Sequence, residues 1–184
     1  MMINDIIGKS RREDRGKKKE GNLCVMKYAE WLDTVPSEIT NDPIWKLEVY
    51  RLALFAGDIG WQDVLILSKA KLMWSIADQL HRALGSISAN LTEGYSRSKG
   101  LDRARFFEFS LGSARESRDW YYKSRHVFPA EVVEHRMSLI THIISMLVPM
   151  ISHQRKNAIR EIQAEYDTSP QSSGFSHDSE IPMP

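Results

Sequence analysis

Apolar side chains recur every three or four residues along four stretches between residues 41 and 152, with polar residues between them. This spacing predicts four amphipathic helices. Asp42 and Pro43 have the residue types preferred at the N-cap and first turn, so the first helix is predicted to begin there. The second helix is predicted to run to about Tyr95. The third is predicted to begin near Asp102, its candidate N-cap, and to end near Phe128-Pro129. The fourth is predicted to run to Ile151.

Four helices with short connections predict an all-α fold, an antiparallel up-down four-helix bundle. The third helix carries two apolar stripes, one with Phe107, Leu111, Ala114 and Tyr121, the other with Phe106, Phe109 and Trp120. One stripe can fill the core, and self-association is the simplest way to cover the other. Gly57 and Gly60 are expected to weaken or kink the first helix.

The chain outside this region has a different composition. Residues 1–40 are predicted to form a flexible basic N-terminal extension, because RREDRGKKKEG offers no apolar face to bury. Met26 is an alternative start, and a basic arm that touches nucleic acid is the functional alternative. Residues 41–152 form the predicted bundle. Residues 153–184 are charged and then rich in Ser and Pro, which predicts an unstructured tail.

Composition narrows the function classes. The 184 residues are 42% hydrophobic and 27% charged, which is typical of a soluble globular protein. A single Cys24 excludes an internal disulfide and suits a reducing compartment. No apolar run approaches the roughly 18–20 residues that span a bilayer, so we expect a cytoplasmic protein with no membrane partner. The net charge of +1 hides an excess in residues 95–125, where eight Lys/Arg face four Asp/Glu.

Patterns that carry catalysis or metal binding are missing from the sequence. It contains no Gly-x-Ser-x-Gly, no His-Glu-x-x-His and no phosphate-binding Gly-rich loop followed by Lys-Ser/Thr. His135 and His142 share a helix face, but no carboxylate or Cys joins them at ligand spacing. We therefore expect no enzymatic activity, no metal and no cofactor.

The basic turn after the second helix is the main candidate for a functional site. Cations here can hold phosphates beside the free amides of a helix start, and Tyr95 can stack on a base. The candidate nucleic-acid-binding residues are Tyr95, Arg97, Lys99, Arg103, Arg105, Arg115, Arg118, Lys123 and Arg125. The alternative is a solvated turn with subunit salt bridges. If the helical cations pair with Glu108, Glu116 and Asp119, they form only a solvated helix face.

A second group is interpreted as structural. Asn90 is expected to be half-buried and to tie the end of the second helix to a neighbouring backbone. Gly94, with Gly100 as a second candidate, suits a left-handed helix end, and Gly112-Ser113 suits close helix approach. Glu93 and Glu116 are expected to pair with arginines. The structural motif comprises Ser86, Asn90, Glu93, Gly94, Phe106, Gly112, Ser113 and Glu116.

The runs S-I-S-A-N-L-T-E-G from Ser86, R-F from Arg105 and L-G-S-A-R-E from Leu111 resemble those of a four-helix-bundle family. It includes the proteins encoded in intervening sequences of bacterial 23S rRNA genes and the accessory variability protein of diversity-generating retroelements. The resemblance covers about Ile44 to Ile151. It implies a ring-like pentamer with a central channel and a basic surface, with no enzymatic activity. For the retroelement members it implies a reverse transcriptase and structured RNA as partners.

The sequence thus favours a non-enzymatic homo-oligomeric adaptor, with a pentamer as the expected assembly. Its expected partners are structured RNA and/or a reverse transcriptase, held by the basic surface. The alternative is a purely structural protein–protein interaction module, in which the basic residues serve subunit salt bridges.

Overall fold

The computed structural model describes residues 27–168, which are helical with no β-strand among them. The predictions for residues 1–26 and for the Ser/Pro-rich end, residues 169–184, lie outside this part of the chain. The six α-helices are α1 (Tyr28–Leu32), α2 (Ser37–Thr40), α3 (Glu48–Ser68), α4 (Trp74–Tyr95), α5 (Gly100–Lys123) and α6 (Ala130–Thr168). The all-α class is confirmed.

The four long helices pack as the predicted bundle. α5 lies between α4 and α6, and α3 packs against α4 and α6. Apolar side chains from all four helices fill the core, and the largest fully buried ones are Val49, Leu67, Leu80, Ile87, Leu91, Phe107, Tyr121, Ile140, Ile143 and Leu147. Within residues 27–168, no helix is long and apolar enough to cross a membrane.

The buried seam of α5 alternates large and small residues. Phe107, Ala114 and Tyr121 recur every seven residues, and so do three fully buried serines, Ser110, Ser117 and Ser124. The Ser110 hydroxyl donates to the Ile87 carbonyl of α4 at 2.8 Å. Small side chains with satisfied hydroxyls let α4 and α5 approach closely without an unpaired polar atom. Phe107, Ala114 and Tyr121 therefore form the core stripe, which decides between the two stripes that the sequence left open.

Helix starts differ from the predicted ones by a few residues. Asp42 does act as a cap, since its carboxylate accepts from the Ile44 amide at 3.0 Å, but it caps the 3-10 turn Pro43–Lys46. The α-helix itself begins at Glu48. α5 begins at Gly100, with Lys99 as its N-cap and no side-chain cap, so Asp102 lies in the first turn.

Three glycines, Gly60, Gly94 and Gly100, serve close packing rather than unusual backbone geometry. α3 runs through Gly57 and Gly60 without interruption. A Cβ at Gly60 would lie 2.3 Å from Leu84 Cδ1, and one at Gly94 would lie 2.8 Å from the Phe107 ring. Gly94 is helical and Gly100 begins α5, so neither forms the left-handed helix end that the sequence suggested.

The packed chain begins before residue 41. Trp31 in α1 is buried, and its indole Nε1 donates to Asp58 of α3 at 2.6 Å. The rings of Tyr28 and Phe55 meet edge to face at 5.3 Å. A five-residue helix is too short to show periodicity in the sequence, and its aromatic contacts come from distant residues. Residues 28–40, assigned by sequence to the flexible extension, carry α1 and α2.

The folded region also continues past residue 152, because α6 runs to Thr168. Ala158 is buried and lies against Gly100, where a Cβ would approach the Ala158 Cβ at 3.1 Å. Ala158 follows Ile151 by seven residues and extends the same apolar face. Charged neighbours hide this contact in the sequence. The first part of the predicted tail is therefore helical.

One buried carboxylate joins three helices. Asp63 of α3 accepts from Tyr121 of α5 at 2.9 Å, and from Arg136 of α6 at 2.7 and 3.3 Å. Burial and the adjacent carboxylate raise the pKa of Tyr121 well above its ordinary value, so its hydroxyl stays protonated and donates. Burial opposes the charge of Arg136, but its hydrogen bonds to Asp63 raise its pKa. Neither Asp63 nor Arg136 was nominated from the sequence.

Candidate nucleic-acid interface

The α4–α5 turn holds four cations. Arg97 pairs with Glu93 one turn earlier on α4. Arg103 donates to the Arg97 carbonyl through Nη2 at 2.6 Å and Nε at 3.2 Å, and its Nη1 reaches Gln154 of α6 at 3.5 Å. These two arginines therefore fix the turn and tie it to α6, in addition to carrying charge.

The other two cations of the turn are unpaired with carboxylates. Within residues 27–168 the Lys99 side chain has no ion pair or hydrogen bond, and Arg105 contacts only the face of an aromatic ring. Both side chains are exposed. The first-turn amides of α5 also lack a side-chain cap. The turn therefore presents free cations beside uncapped helical amides, an arrangement that favours anions.

Two phenylalanines lie between the arginines on the outer face of α5. Phe106 and Phe109 meet edge to face with ring centroids 5.8 Å apart. The Arg97 Cζ lies 4.8 Å from the Phe106 centroid, and the Arg105 Cζ lies 5.6 Å from the Phe109 centroid. Phe109 remains 47% exposed. We call Arg97, Phe106, Phe109 and Arg105 the aromatic–arginine cluster.

Tyr95 does not join this cluster. It is 38% exposed at the end of α4. A helix turns about 100° per residue, so Tyr95 projects about 200° away from Glu93, whose partner Arg97 belongs to the cluster. The sequence proposed Tyr95 as the stacking residue, but the helix places it on the opposite side of α4.

The remaining cations of α5 have varied surroundings. Lys123 pairs with Asp119 at 2.6 Å and lies over the Trp120 ring at 4.1 Å. Arg118 donates to Thr141 of α6 at 3.3 Å. Arg125, after α5, lies over the Tyr122 ring at 4.1 Å and donates to the Tyr122 carbonyl. Arg115 has no ion pair or side-chain hydrogen bond within residues 27–168.

These cations do not all face one way. Helical periodicity places Arg105 and Lys123 on the outer face of α5, while Arg115 and Arg118 lie on its flank towards α6. The predicted pairing of the α5 cations with Glu108, Glu116 and Asp119 is also only partly present. Asp119 does pair with Lys123, but Glu108 pairs with Arg155 of α6 and Glu116 accepts from the Trp120 indole at 3.1 Å. The strongest cationic site is therefore the α4–α5 turn.

A groove lies at the other end of α5, about 27 Å from Arg105 at 1.5 Å per residue. It is open to solvent, with mixed polar and apolar walls that include Tyr122, Arg125, Met137, Thr141 and His142. It belongs to the separate Arg118–Arg125 end of the candidate surface and does not extend the turn site.

Most of the predicted motif residues lie along the junction of α4 and α5. The Asn90 amide is half-buried as expected, but it donates to Ser86 of its own helix at 2.7 Å rather than to a neighbouring segment. Ser113 donates to the Phe109 carbonyl at 3.0 Å. The contacts between Gly94 and Phe107 and between Ile87 and Ser110 set an antiparallel register. This register places Ser86 opposite Ser113, and Asn90 opposite Phe109.

Gly112 does not serve packing within the chain. It is exposed on α5, and a Cβ there would meet nothing within 4 Å. The close approach that the sequence assigned to Gly112-Ser113 is instead provided by Ser110 and Ala114, which are fully buried.

The structure also shows an exposed apolar surface that the sequence analysis missed. Trp61 is 50% exposed, Leu65 40%, Leu72 92% and Trp74 67%. They lie where α3 connects to α4, and Trp61 packs edge to face on His81. We call these four residues the tryptophan patch. Trp61 projects outwards beside α4 instead of into the core.

Comparisons with known proteins agree with this architecture. Residues 62–149 match the family of 23S rRNA-intervening sequence proteins, from the middle of α3 into α6. A solved protein of unknown function from the S23 ribosomal protein family of Bacteroides thetaiotaomicron aligns with a TM-score of 0.53 and 20% identity. The alignment covers 56% of this chain and 97% of that one, and it supports the shared fold. No curated protein matches the chain. The predicted resemblance to the rRNA-linked branch is thus confirmed over residues 62–149.

Proposed function

We propose that this protein is a non-enzymatic, self-associating helical adaptor that binds structured RNA through the α4–α5 turn. The observation that carries the proposal is the unpaired state of Lys99 and Arg105 beside the uncapped start of α5. Free cations and helical amides bind phosphate without reading sequence. The description of the matching family, which refers to rRNA, favours RNA as the source of that phosphate. A pentamer and a reverse transcriptase partner stay predictions from the resemblance.

The turn carries a modest charge, so the expected binding is sensitive to salt. Its four cations are opposed by Glu93 and Asp102, and only Arg97 is paired with a carboxylate within the described residues. Arg103 is committed to the backbone of the turn. A test of charge must therefore spare Arg97 and Arg103, whose removal would also disturb the local structure.

The first prediction concerns the two free cations. The double variant Lys99→Gln/Arg105→Gln should weaken binding to an RNA hairpin about tenfold at low salt. Its plot of log affinity against log salt should become shallower by about 1.5, because each lost phosphate contact removes roughly 0.7–0.9. Fluorescence anisotropy on nuclease-treated protein over a salt series measures both quantities.

The matched control is Lys69→Gln/Lys71→Gln, which removes the same charge from exposed lysines at the far end of the bundle. This control should leave both affinity and salt slope unchanged. If both double variants lose the same affinity for RNA, the effect comes from net charge and not from the turn. If the parent protein shows no salt-sensitive RNA binding, the proposed function is refuted.

The tryptophan patch supports the self-association part of the proposal. Leu72 and Trp74 are more exposed than any other large apolar side chain in residues 27–168. Exposed apolar clusters of this kind mark protein contact surfaces. The patch lies at the α3–α4 connection, at the opposite end of α4 from the cationic turn, so both surfaces can be used at once. The same observation favours the alternative function, a purely structural protein–protein interaction module.

A further inference from the structure

We infer that the aromatic–arginine cluster recognises unpaired nucleotides by stacking a base on Phe109 while the neighbouring guanidiniums hold its phosphates. This inference rests on the proposed function and specifies the form of RNA that is bound. The aromatic–arginine cluster would then bind loops, bulges and single strands in preference to continuous duplex.

The exposure of Phe109 is the first support. Nearly half of its surface is open to solvent, although α5 has ample buried positions for aromatic residues such as Phe107 and Tyr121. Phe106 buttresses it edge to face at 5.8 Å. The ring is thus held in place while nearly half of its surface stays open to solvent, as a stacking platform requires.

The placement of the arginines is the second support. Arg105 lies 5.6 Å from the Phe109 centroid and has no carboxylate partner within residues 27–168. Arg97 lies over Phe106 and is oriented by Glu93. Guanidiniums beside aromatic rings add cation–π attraction to a stacked base and reach the adjacent phosphates. Lys99 adds a further positive charge on the turn.

The form of the RNA follows from the geometry. A base in a continuous duplex has both faces covered by its neighbours, so a protein ring can stack only on an unpaired base or a helix end. The Phe109 ring projects from the outer side of α5, where 47% of it is exposed and no other helix of residues 27–168 covers it. Away from its ends, duplex RNA can therefore use only the cations of the turn.

The test compares two RNAs with the same number of phosphates. One is a uridine-rich single strand of about 12 nucleotides, within the usual site sizes for stacking proteins, and the other is a duplex closed at both ends by covalent linkers that cover its terminal base pairs. A 2-aminopurine base in the single strand reports stacking through its fluorescence. We expect tighter binding to the single strand and quenching of the 2-aminopurine on binding.

The decisive variant is Phe109→Ala. It should weaken single-strand binding about fivefold or more, which is the smaller end of what one stacked base contributes. It should also remove the quenching at saturating protein, with duplex binding unchanged. Phe109→Tyr keeps an aromatic face and should restore both readouts. The matched control is Leu101→Ala, which removes an exposed apolar side chain in the first turn of α5 that has no ring to stack, and it should change neither readout.

The outcomes separate the inference from the proposed function. If neither RNA binds, both fail. If both RNAs bind equally and Phe109→Ala affects neither, the inference is overturned and the proposed function stands. Equal losses in both RNAs would also overturn base stacking. A smaller solution mass for Phe109→Ala in light scattering would assign the cluster to a second copy of the chain and overturn the inference.

Discussion

At the scale of single residues, Asp63 carries the most deeply buried charge among the described residues. It is almost fully buried, and its charge is matched by one guanidinium that remains 16% exposed. The Arg136 guanidinium also donates from Nη1 to His135 Nδ1 at 2.9 Å. Burial and the adjacent Arg136 lower the pKa of His135, which favours the neutral ring that accepts this bond. The network links α3, α5 and α6 through directional bonds, and so fixes how they meet.

Removing the cation should leave Asp63 buried and uncompensated. Arg136→Met is expected to lower the free energy of unfolding by about 3 kcal/mol, near the low end for buried pairs because Arg136 is partly exposed. Urea denaturation of the purified variant measures the change.

A matched control is Arg155→Met on the same helix. Arg155 pairs with Glu108 of α5, but on the surface, with its side chain 60% exposed. Its loss should cost at most about 1 kcal/mol. Similar values for the two variants would show that the Asp63 network contributes no more than a surface ion pair.

At the scale of elements, α4 and α5 form a tightly packed helix pair. Serines and alanine line α5 where it faces α4, and Gly94 leaves room for the Phe107 ring. Dense packing of this kind tolerates neither an added methyl group nor a shift in register. The same register carries the aromatic–arginine cluster, because Phe106 and Phe109 follow directly from the position of Phe107.

Two glycines of α4 provide opposite tests of this packing. Gly94→Ala should lower the free energy of unfolding by about 1–3 kcal/mol, since its Cβ would lie within 3 Å of the buried Phe107 ring. Gly85→Ala meets nothing within 4 Å and should raise it by about 0.5–1 kcal/mol through helix propensity. Urea titrations measure both. Stabilisation of the protein by Gly94→Ala would contradict the close α4–α5 contact.

At the scale of the whole molecule, the two exposed surfaces differ in chemistry. The α4–α5 turn combines cations with aromatic rings, whereas the tryptophan patch is apolar and carries no arginine–ring contact within residues 27–168. The first suits a polyanion and the second suits a protein surface. The sequence predicted that one of the two α5 stripes is covered by self-association, and we propose the tryptophan patch as a further surface for that role.

Polar substitution of the patch should dissociate the assembly. Leu72→Ser/Trp74→Ser is expected to reduce the solution mass in light scattering from several chains to one, with little loss of helicity, because both side chains are largely exposed. Ile159→Ser, at an exposed apolar residue on α6, is the control and should leave the mass unchanged. An unaltered mass in the patch variant would remove the patch from the interface.

Periodicity located the long elements but not all of their ends. α4 ends at Tyr95 as predicted and α5 begins two residues before Asp102, but α5 ends at Lys123 rather than near Phe128-Pro129. The sequence also separated the two apolar stripes of α5 and located the cationic turn. The charged composition after residue 152 suggested an end to the last helix, but α6 continues through Pro149 and packs as far as Ala158. Pro149 cannot donate a backbone hydrogen bond within the helix. The free energy lost in this way is smaller than the free energy gained by burying the apolar face on both sides of it.

Local pattern therefore determined the helices, the all-α class and the position of the basic turn, because those properties depend on residues three or four positions apart. The tertiary structure decided which aromatic rings are exposed, which cations are paired and what each glycine does. Phe109 and Tyr95 are both aromatic residues beside the same turn, yet only Phe109 lies among the arginines. Such differences depend on contacts between helices distant in sequence, such as Asp63 with Arg136, which no local spacing encodes.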